Sequence, residues 1–162
     1  MDWSLVVKHN GKEIFTSRGK WLYPLFELED VFKEKDYPRN ELEAVEKVAG
    51  QAAAFLIVRL GIKKCHIKLI SEKAIEVLER FEVNYTYDEK VPLIQCRTEH
   101  ILNKDMSLDE AWQILRRRAG RVHGTDVSIE KLEVDLNREI IISGLDLEVS
   151  RGEGLIICGE NG

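Results

Sequence analysis

The order of helices and strands in this chain is decided by residues 40–87, which read NELEAVEKVAGQAAAFLIVRLGIKKCHIKLISEKAIEVLERFEVNYTY. Apolar residues recur at helical spacing through the first half of this stretch, and Asn40 with Glu43 makes a capping-box pattern ahead of them. The sequence therefore predicts one long helix over residues 40–60, which ends at Gly61.

A strand, a helix and a second strand follow this predicted helix. Residues 65–70 have the composition of a strand, and Ser71 stands where it would cap a helix. Residues 83–87 are rich in β-branched and aromatic side chains, which favour another strand. Short connections between alternating helices and strands predict an α/β fold with a mixed or parallel sheet.

The flanking sequence adds elements at both ends of this block. Asn10-Gly11, between two short apolar runs, predicts a β-hairpin with a type I′ turn. Pro24 marks the start of a helix, and Ser107 with Glu110 makes a capping box before a further helix. The opening hairpin therefore adds two antiparallel strands to one side of the sheet.

The composition excludes several classes of protein. The 162 residues carry a net charge of −5, which argues against a general nucleic-acid binder, and 33% of them are charged, as in many thermophilic proteins. Three widely spaced cysteines form no disulfide framework and suit a reducing compartment. The chain shows no signal peptide and no stretch apolar enough for membrane insertion. We therefore expect a cytoplasmic protein.

An uneven distribution of charge predicts two parts of the chain. Residues 125–162 hold nine acidic against three basic side chains, and a stretch flanked by Gly120 and Gly124 precedes them. We expect an α/β domain over residues 1–124 and a short β-rich segment over residues 125–162.

The candidate chemistry in the first part is sparse. No CxxC, HxxxH or HxE pattern occurs, so we expect no metal site. Cys96, with His100 and Glu99 nearby, is a candidate catalytic group, because a neighbouring cation would lower the pKa of the thiol. The alternative is that these residues belong to an ordinary surface loop.

The stretches GQAAAFL (50–56), GIKK (61–64) and ISEKAIEVLE (70–79), with residues 83–92, resemble a small uncharacterised prokaryotic family. The resemblance covers roughly residues 3–118. The fold of that family is similar to that of the cytidine deaminases, which implies three layers, with a central mixed sheet and helices on both faces.

Deaminases of this fold hold zinc through an HxE motif at one helix start and a PCxxC motif at the next. The corresponding starts predicted here, at Asn40 and Ser71, offer neither thiolate nor imidazole. The resemblance therefore implies a deaminase-like scaffold without deaminase activity or cofactor, whose cavity binds a small planar or anionic ligand. The candidate ligand-binding residues are Glu43, Gly50, Gln51, Ser71 and Glu72.

The C-terminal part resembles a different family. The run SGLDLEV (143–149), a turn, and LIIC (155–158) followed by GENG (159–162) are similar to the beginning of an ABC-type ATPase domain, up to the first half of its Walker A loop. The resemblance makes Gly159, Glu160, Asn161 and Gly162 candidate nucleotide-binding residues, but the phosphate-binding Lys and the Ser/Thr ligand of magnesium are missing. A β-meander packed on the first part is the alternative.

These observations lead to one expected function and several alternatives. We expect a non-catalytic, deaminase-like domain that binds a small-molecule ligand or regulates an associated ABC-type ATPase. An enzyme that uses Cys96 with His100, an ATP-binding protein of greater length, and a homo-oligomeric assembly module are the alternatives.

Overall fold

The computed structural model describes residues 3–122, 126–150, 152–156 and 158–159. The chain divides into two compact units, Met1–Leu115 and Arg116–Gly162. In chain order, the helices and strands are β1 (Leu5–His9), β2 (Lys12–Ser17), α1 (Tyr23–Glu34), β3 (Leu42–Ala49), α2 (Gln51–Arg59), β4 (Lys64–Ser71), α3 (Glu72–Arg80), β5 (Asn84–Val91), α4 (Leu108–Arg118), β6 (Val127–Leu136) and β7 (Glu139–Val149).

The first unit is built on a five-stranded mixed sheet in the order β2-β1-β3-β4-β5. β1 runs antiparallel to both of its neighbours, whereas β3, β4 and β5 are parallel. The hairpin turn has φ angles of 51° at Asn10 and 76° at Gly11, which confirms the predicted Asn-Gly turn. In this topology the carboxyl ends of β2, β3, β4 and β5 meet at one edge of the sheet, beside the start of β1.

Three helix starts lie where local sequence signals predict them. α1 carries Pro24 in its first turn. The Ser71 hydroxyl accepts a hydrogen bond from the Ala74 amide at 3.1 Å and so caps α3. Before α4, the Ser107 amide donates to the Glu110 carboxylate at 2.8 Å, and the Glu110 amide donates to the Ser107 hydroxyl at 3.2 Å. These reciprocal bonds confirm the predicted capping box.

The predicted helix over residues 40–60 is wrong in its first half. Residues 42–49 form strand β3, and the helix begins only after Gly50, whose φ of −92° and ψ of −176° are extended. Asn40 lies in a short 3-10 helix instead of capping α2. The apolar residues at the start of this stretch also alternate with period two, and pairing with both β1 and β4 selects the strand.

The helices of the first unit pack beside one another. α1 packs against α2 and α2 against α3, as consecutive crossovers of the same hand require. They cover buried core side chains such as Phe55 and Ile67. The opposite face carries polar side chains, among them His66, which bonds the Thr86 hydroxyl at 2.9 Å. The first unit is therefore an α/β fold with a five-stranded mixed sheet flanked by helices.

The second unit contains a β-hairpin. β6 and β7 pair antiparallel, and Asn137 and Arg138 take positive φ angles at the turn between them. In the run LIIC, which belongs to the stretch that resembles an ABC-type ATPase, residues 155, 156 and 158 lie outside any strand, and Ile156 is 87% exposed. Within the described residues of both units, every helix is too short or too polar to span a lipid bilayer.

Candidate functional site

A cavity of about 440 Å³ opens at the edge of the sheet where the strand ends converge. It lies beside the start of β1, the segment after β2, the end of β3, the first turn of α2 and the segment after β5. Its walls are formed by Trp3, Ser4, Arg18, Gly19, Lys20, Trp21, Leu22, Glu46, Lys47, Val48, Gly50, Ala52, Ala53, Ile94, Cys96, Thr98 and Glu99. The carboxyl edge of parallel strands is where ligands bind in open α/β sheets.

The most unusual group in the cavity wall is the carboxyl of Glu46. It projects from β3 on the face that Leu42 and Ala44 also occupy, and the residue is only 5% exposed. Burial raises the pKa of Glu46 from 4.5 to about 8, although hydrogen bonds from the Val48 and Lys47 amides lower it in part. Because its charged form is desolvated, Glu46 is a neutral acid at pH 7 and a hydrogen-bond donor.

Two tryptophans line the cavity. Trp3 precedes β1, and Trp21 precedes α1 with a φ of 55°, a conformation rarely adopted by bulky residues. The Trp21 indole N–H donates to the hydroxyl of Thr98 at 3.2 Å, and the Cys96 thiol lies 2.6 Å from the same hydroxyl. Strained backbone of this kind is concentrated at binding sites, and here the bond to Thr98 holds the indole in place.

Next to Thr98, the carboxylate of Glu99 links the starts of two helices by hydrogen bonds. One oxygen accepts from the Gln51 amide at 2.7 Å, at the start of α2, and the other accepts from the Ser71 hydroxyl at 2.6 Å, at the start of α3. The Lys73 ammonium donates to the Glu99 carbonyl at 2.6 Å. A carboxylate is stabilised at a helix start by the unpaired amides and the helix dipole. Glu99 therefore anchors the cavity wall that contains Thr98.

Gly50 leaves the space that this carboxylate occupies. A Cβ atom built at Gly50 would stand 2.8 Å from Glu99 Oε2 and 3.1 Å from its Cδ. Because Gly50 has a φ of −92°, its backbone conformation suits any residue, and a larger residue here would instead displace the Glu99 carboxylate.

Residues 1–116 match the family described as TM1506, Domain of unknown function (DUF1893). This chain belongs to the DUF1893 family. It is also similar to the crystal structure of a DUF1893 family protein, TM1506, from Thermotoga maritima, with 27% sequence identity and a TM-score of 0.62. That similarity covers 72% of this chain and 81% of the other. Among curated proteins, none matches.

The DUF1893 domain brings together some of the residues that the sequence singled out. Gly50, Gln51 and Ser71 all meet at Glu99. Glu43 lies toward the other end of β3, where it forms an ion pair with Lys64 at 3.2 Å. Glu72 begins α3 but is paired with Lys90 at 3.2 Å, away from the cavity wall.

Cys96, His100 and Glu99, the candidate catalytic residues, are not arranged as a catalytic site. Glu99 is engaged in the hydrogen bonds described above and is 2% exposed, whereas His100 is exposed. No hydrogen bond joins Cys96 to His100 within the part of the chain that the structure describes. In the same residues, no group of three or more His, Cys, Asp or Glu side chains is arranged to hold a metal ion.

The remaining sequence candidates lie at the C-terminal end. Gly159 is exposed and outside any helix or strand, and Glu160, Asn161 and Gly162 lie outside the described residues. Sequence reasoning missed Glu46, Trp3 and Trp21 as site residues. Glu46 follows Leu42 and Ala44 at intervals of two residues, which puts a charged residue on an apolar face of a strand. This spacing was the only sequence signal for Glu46.

Proposed function

We propose that this DUF1893 domain is a binding domain for a small planar ligand, held in the cavity at the carboxyl edge of the sheet. The observation that carries the proposal is the buried carboxyl of Glu46, which lines the same cavity as the indoles of Trp3 and Trp21. Flat aromatic walls favour a planar ring, and a neutral carboxylic acid donates to a ring nitrogen or carbonyl oxygen of the ligand.

The likeness to the cytidine deaminases is part of this proposal. The resemblance implies zinc ligands at two successive helix starts, and the starts that border the cavity belong to α1 and α2. The residues there are Trp21 and Leu22 at one helix and Gly50 and Gln51 at the other, none of which binds zinc. This residue chemistry supports ligand binding without deamination.

The proposal predicts quenching of tryptophan fluorescence by neutral heteroaromatic compounds. Uracil and nicotinamide, titrated into the full chain, are expected to quench the emission with a Kd below about 1 mM, because stacked rings perturb the indoles. Trp21→Phe should remove most of the change. Trp112→Phe is the matched control, because Trp112 lies outside this cavity and bonds Glu29 at 2.8 Å.

Calorimetry with the same compounds provides the decisive measurement. A heat of binding that is retained in Trp112→Phe and weakened in Trp21→Phe would support the cavity as the site. Absence of binding by both compounds at millimolar concentration, or an equal response of the two variants, would contradict the proposed function.

A second proposal is that the domain regulates an ABC-type ATPase. It is supported by the antiparallel hairpin β6–β7, the kind of structure that the resemblance implies for these residues. The test is the coding sequence beyond residue 162. An in-frame Gly-Lys-Ser or Gly-Lys-Thr within the next few codons would support a continuing ATPase domain. Any other sequence at these codons would contradict this second proposal.

A further inference from the structure

The rim of the cavity carries three cations in addition to its apolar walls. Arg18, Lys20 and Lys47 all line it, and all three are exposed. Arg18 and Lys20 come from the segment between β2 and α1, whereas Lys47 comes from β3. Segments far apart in the chain therefore supply positive charge to one opening.

The partners of these cations decide whether their charge is available. Five other basic side chains of the same unit pair with carboxylates at distances of 3.6 Å or less, and these are Lys33, Arg59, Lys64, Lys90 and Lys104. Within the residues that the structure describes, Arg18, Lys20 and Lys47 have no ion pair and no side-chain hydrogen bond. Their charges are therefore available at the rim.

The carboxyl groups of the cavity do not neutralise this rim. Burial raises the pKa of Glu46 to about 8, so this carboxyl is protonated and uncharged at pH 7. The Glu99 carboxylate keeps its negative charge, but it is buried at the helix starts, bonded to the Gln51 amide and the Ser71 hydroxyl, and the three rim cations outnumber it. A ligand with a negatively charged group would therefore meet net positive charge at the opening.

We propose that the ligand of this cavity is a planar heteroaromatic compound with an anionic substituent, which is bound at the rim by Arg18, Lys20 and Lys47. The inference rests on the proposed function and names the ligand class for the same site. The ring lies against the tryptophans with an acceptor atom toward Glu46, and its carboxylate or phosphate group points outward to the three cations. Arg18 supplies the fork of N–H donors that suits such a group.

Matched pairs of neutral and anionic probes test the inference. Nicotinate and nicotinamide differ by a carboxylate in place of an amide, and orotate is uracil with an added carboxylate. In the full chain at pH 7 and low salt, we expect each anion to bind roughly tenfold more tightly than its neutral partner, a preference that weakens with added salt.

The double variant Arg18→Gln, Lys20→Gln locates the charge effect. It is expected to reduce the ratio of the neutral probe's Kd to the anion's Kd to about twofold or less, because the exposed charges act mainly on the anionic group. Lys12→Gln is the control, since Lys12 is an exposed lysine at the hairpin turn and lies outside the cavity. It should keep the full preference.

The outcomes separate the two proposals. If the neutral probes bind and the anions show no advantage, or keep their advantage in the double variant, the anion site is wrong and the planar-ligand site stands. If neither neutral probe binds at millimolar concentration, the planar-ligand site is contradicted, and the anion site, which rests on it, is overturned as well.

Discussion

Replacement of Glu46 by glutamine is expected to stabilise the domain at pH 9 by several kcal/mol relative to the wild type, and to change its stability little near pH 4. The folded chain disfavours the charged form of this buried carboxyl, whose pKa burial raises from 4.5 to about 8. A shift of this size corresponds to roughly 5 kcal/mol, at about 1.4 kcal/mol per pH unit. Glutamine has nearly the same shape and stays neutral.

The sign of the pH dependence follows from the two protonation states. Below pH 4.5 the Glu46 carboxyl is protonated in both folded and unfolded chains, so its favourable contribution is fully present. Between pH 4.5 and about 8 the unfolded chain loses this proton and the folded chain keeps it, so stability falls. Above about pH 8 the contribution is lost.

Urea unfolding of both proteins from pH 5 to pH 9 measures this difference. The gap in unfolding free energy between Glu46→Gln and wild type should widen from pH 5 to about pH 8 and then level off. Glu43→Gln, on the same strand but half-exposed, is the control and should give a nearly constant gap within about 0.5 kcal/mol. Parallel stability curves for Glu46→Gln and wild type would show that Glu46 is not a buried neutral acid.

Replacement of Glu99 by alanine is expected to lower the free energy of unfolding by about 3 kcal/mol and the melting temperature by roughly 10 °C. The change leaves the Gln51 amide and the Ser71 hydroxyl without their shared acceptor in a buried place. Each unpaired group costs on the order of 1–3 kcal/mol. The truncation also leaves a void behind the cavity wall.

Two companion variants separate this contact from general effects of mutation. Glu99→Gln keeps one acceptor oxygen and should lose about half as much stability. Glu72→Ala removes an exposed carboxylate at the start of α3 and should stay within about 0.5 kcal/mol of wild type. Thermal melts of the three proteins decide the question: a Glu99→Ala midpoint within about 2 °C of wild type would mean that the carboxylate does not join the helix starts.

Local signals in the sequence predicted many of the helices and strands but not the central strand β3. Asn10-Gly11 predicted the hairpin, and Ser71 and Ser107 predicted helix starts, because turns and caps depend on residues a few positions apart. Residues 42–49 were predicted as helix because their apolar pattern fits both periods. The strand is selected by hydrogen bonds to β1 and β4, which no local signal contains.

The candidate site was predictable only in part. Gly50, Gln51 and Ser71 were singled out as candidate ligand-binding residues, with Gly50 and Gln51 predicted inside a helix, and Glu99 was chosen as a partner of a catalytic cysteine. The structure brings these four together for a different reason, since the Glu99 carboxylate replaces solvent at two helix starts. Glu46 was overlooked, because the charged side chain of a glutamate ordinarily lies on an exposed face.

The sequence by itself determined the alternation of helices and strands after residue 50, the opening hairpin and the helix caps, since these follow from short-range backbone preferences. Only the tertiary structure decided that residues 42–49 form a central strand, that Glu46 is buried and that Trp3, Trp21 and Thr98 border one cavity. The physical reason is long-range: burial and pKa depend on which distant segments exclude water from a side chain, and the sheet order sets those neighbours.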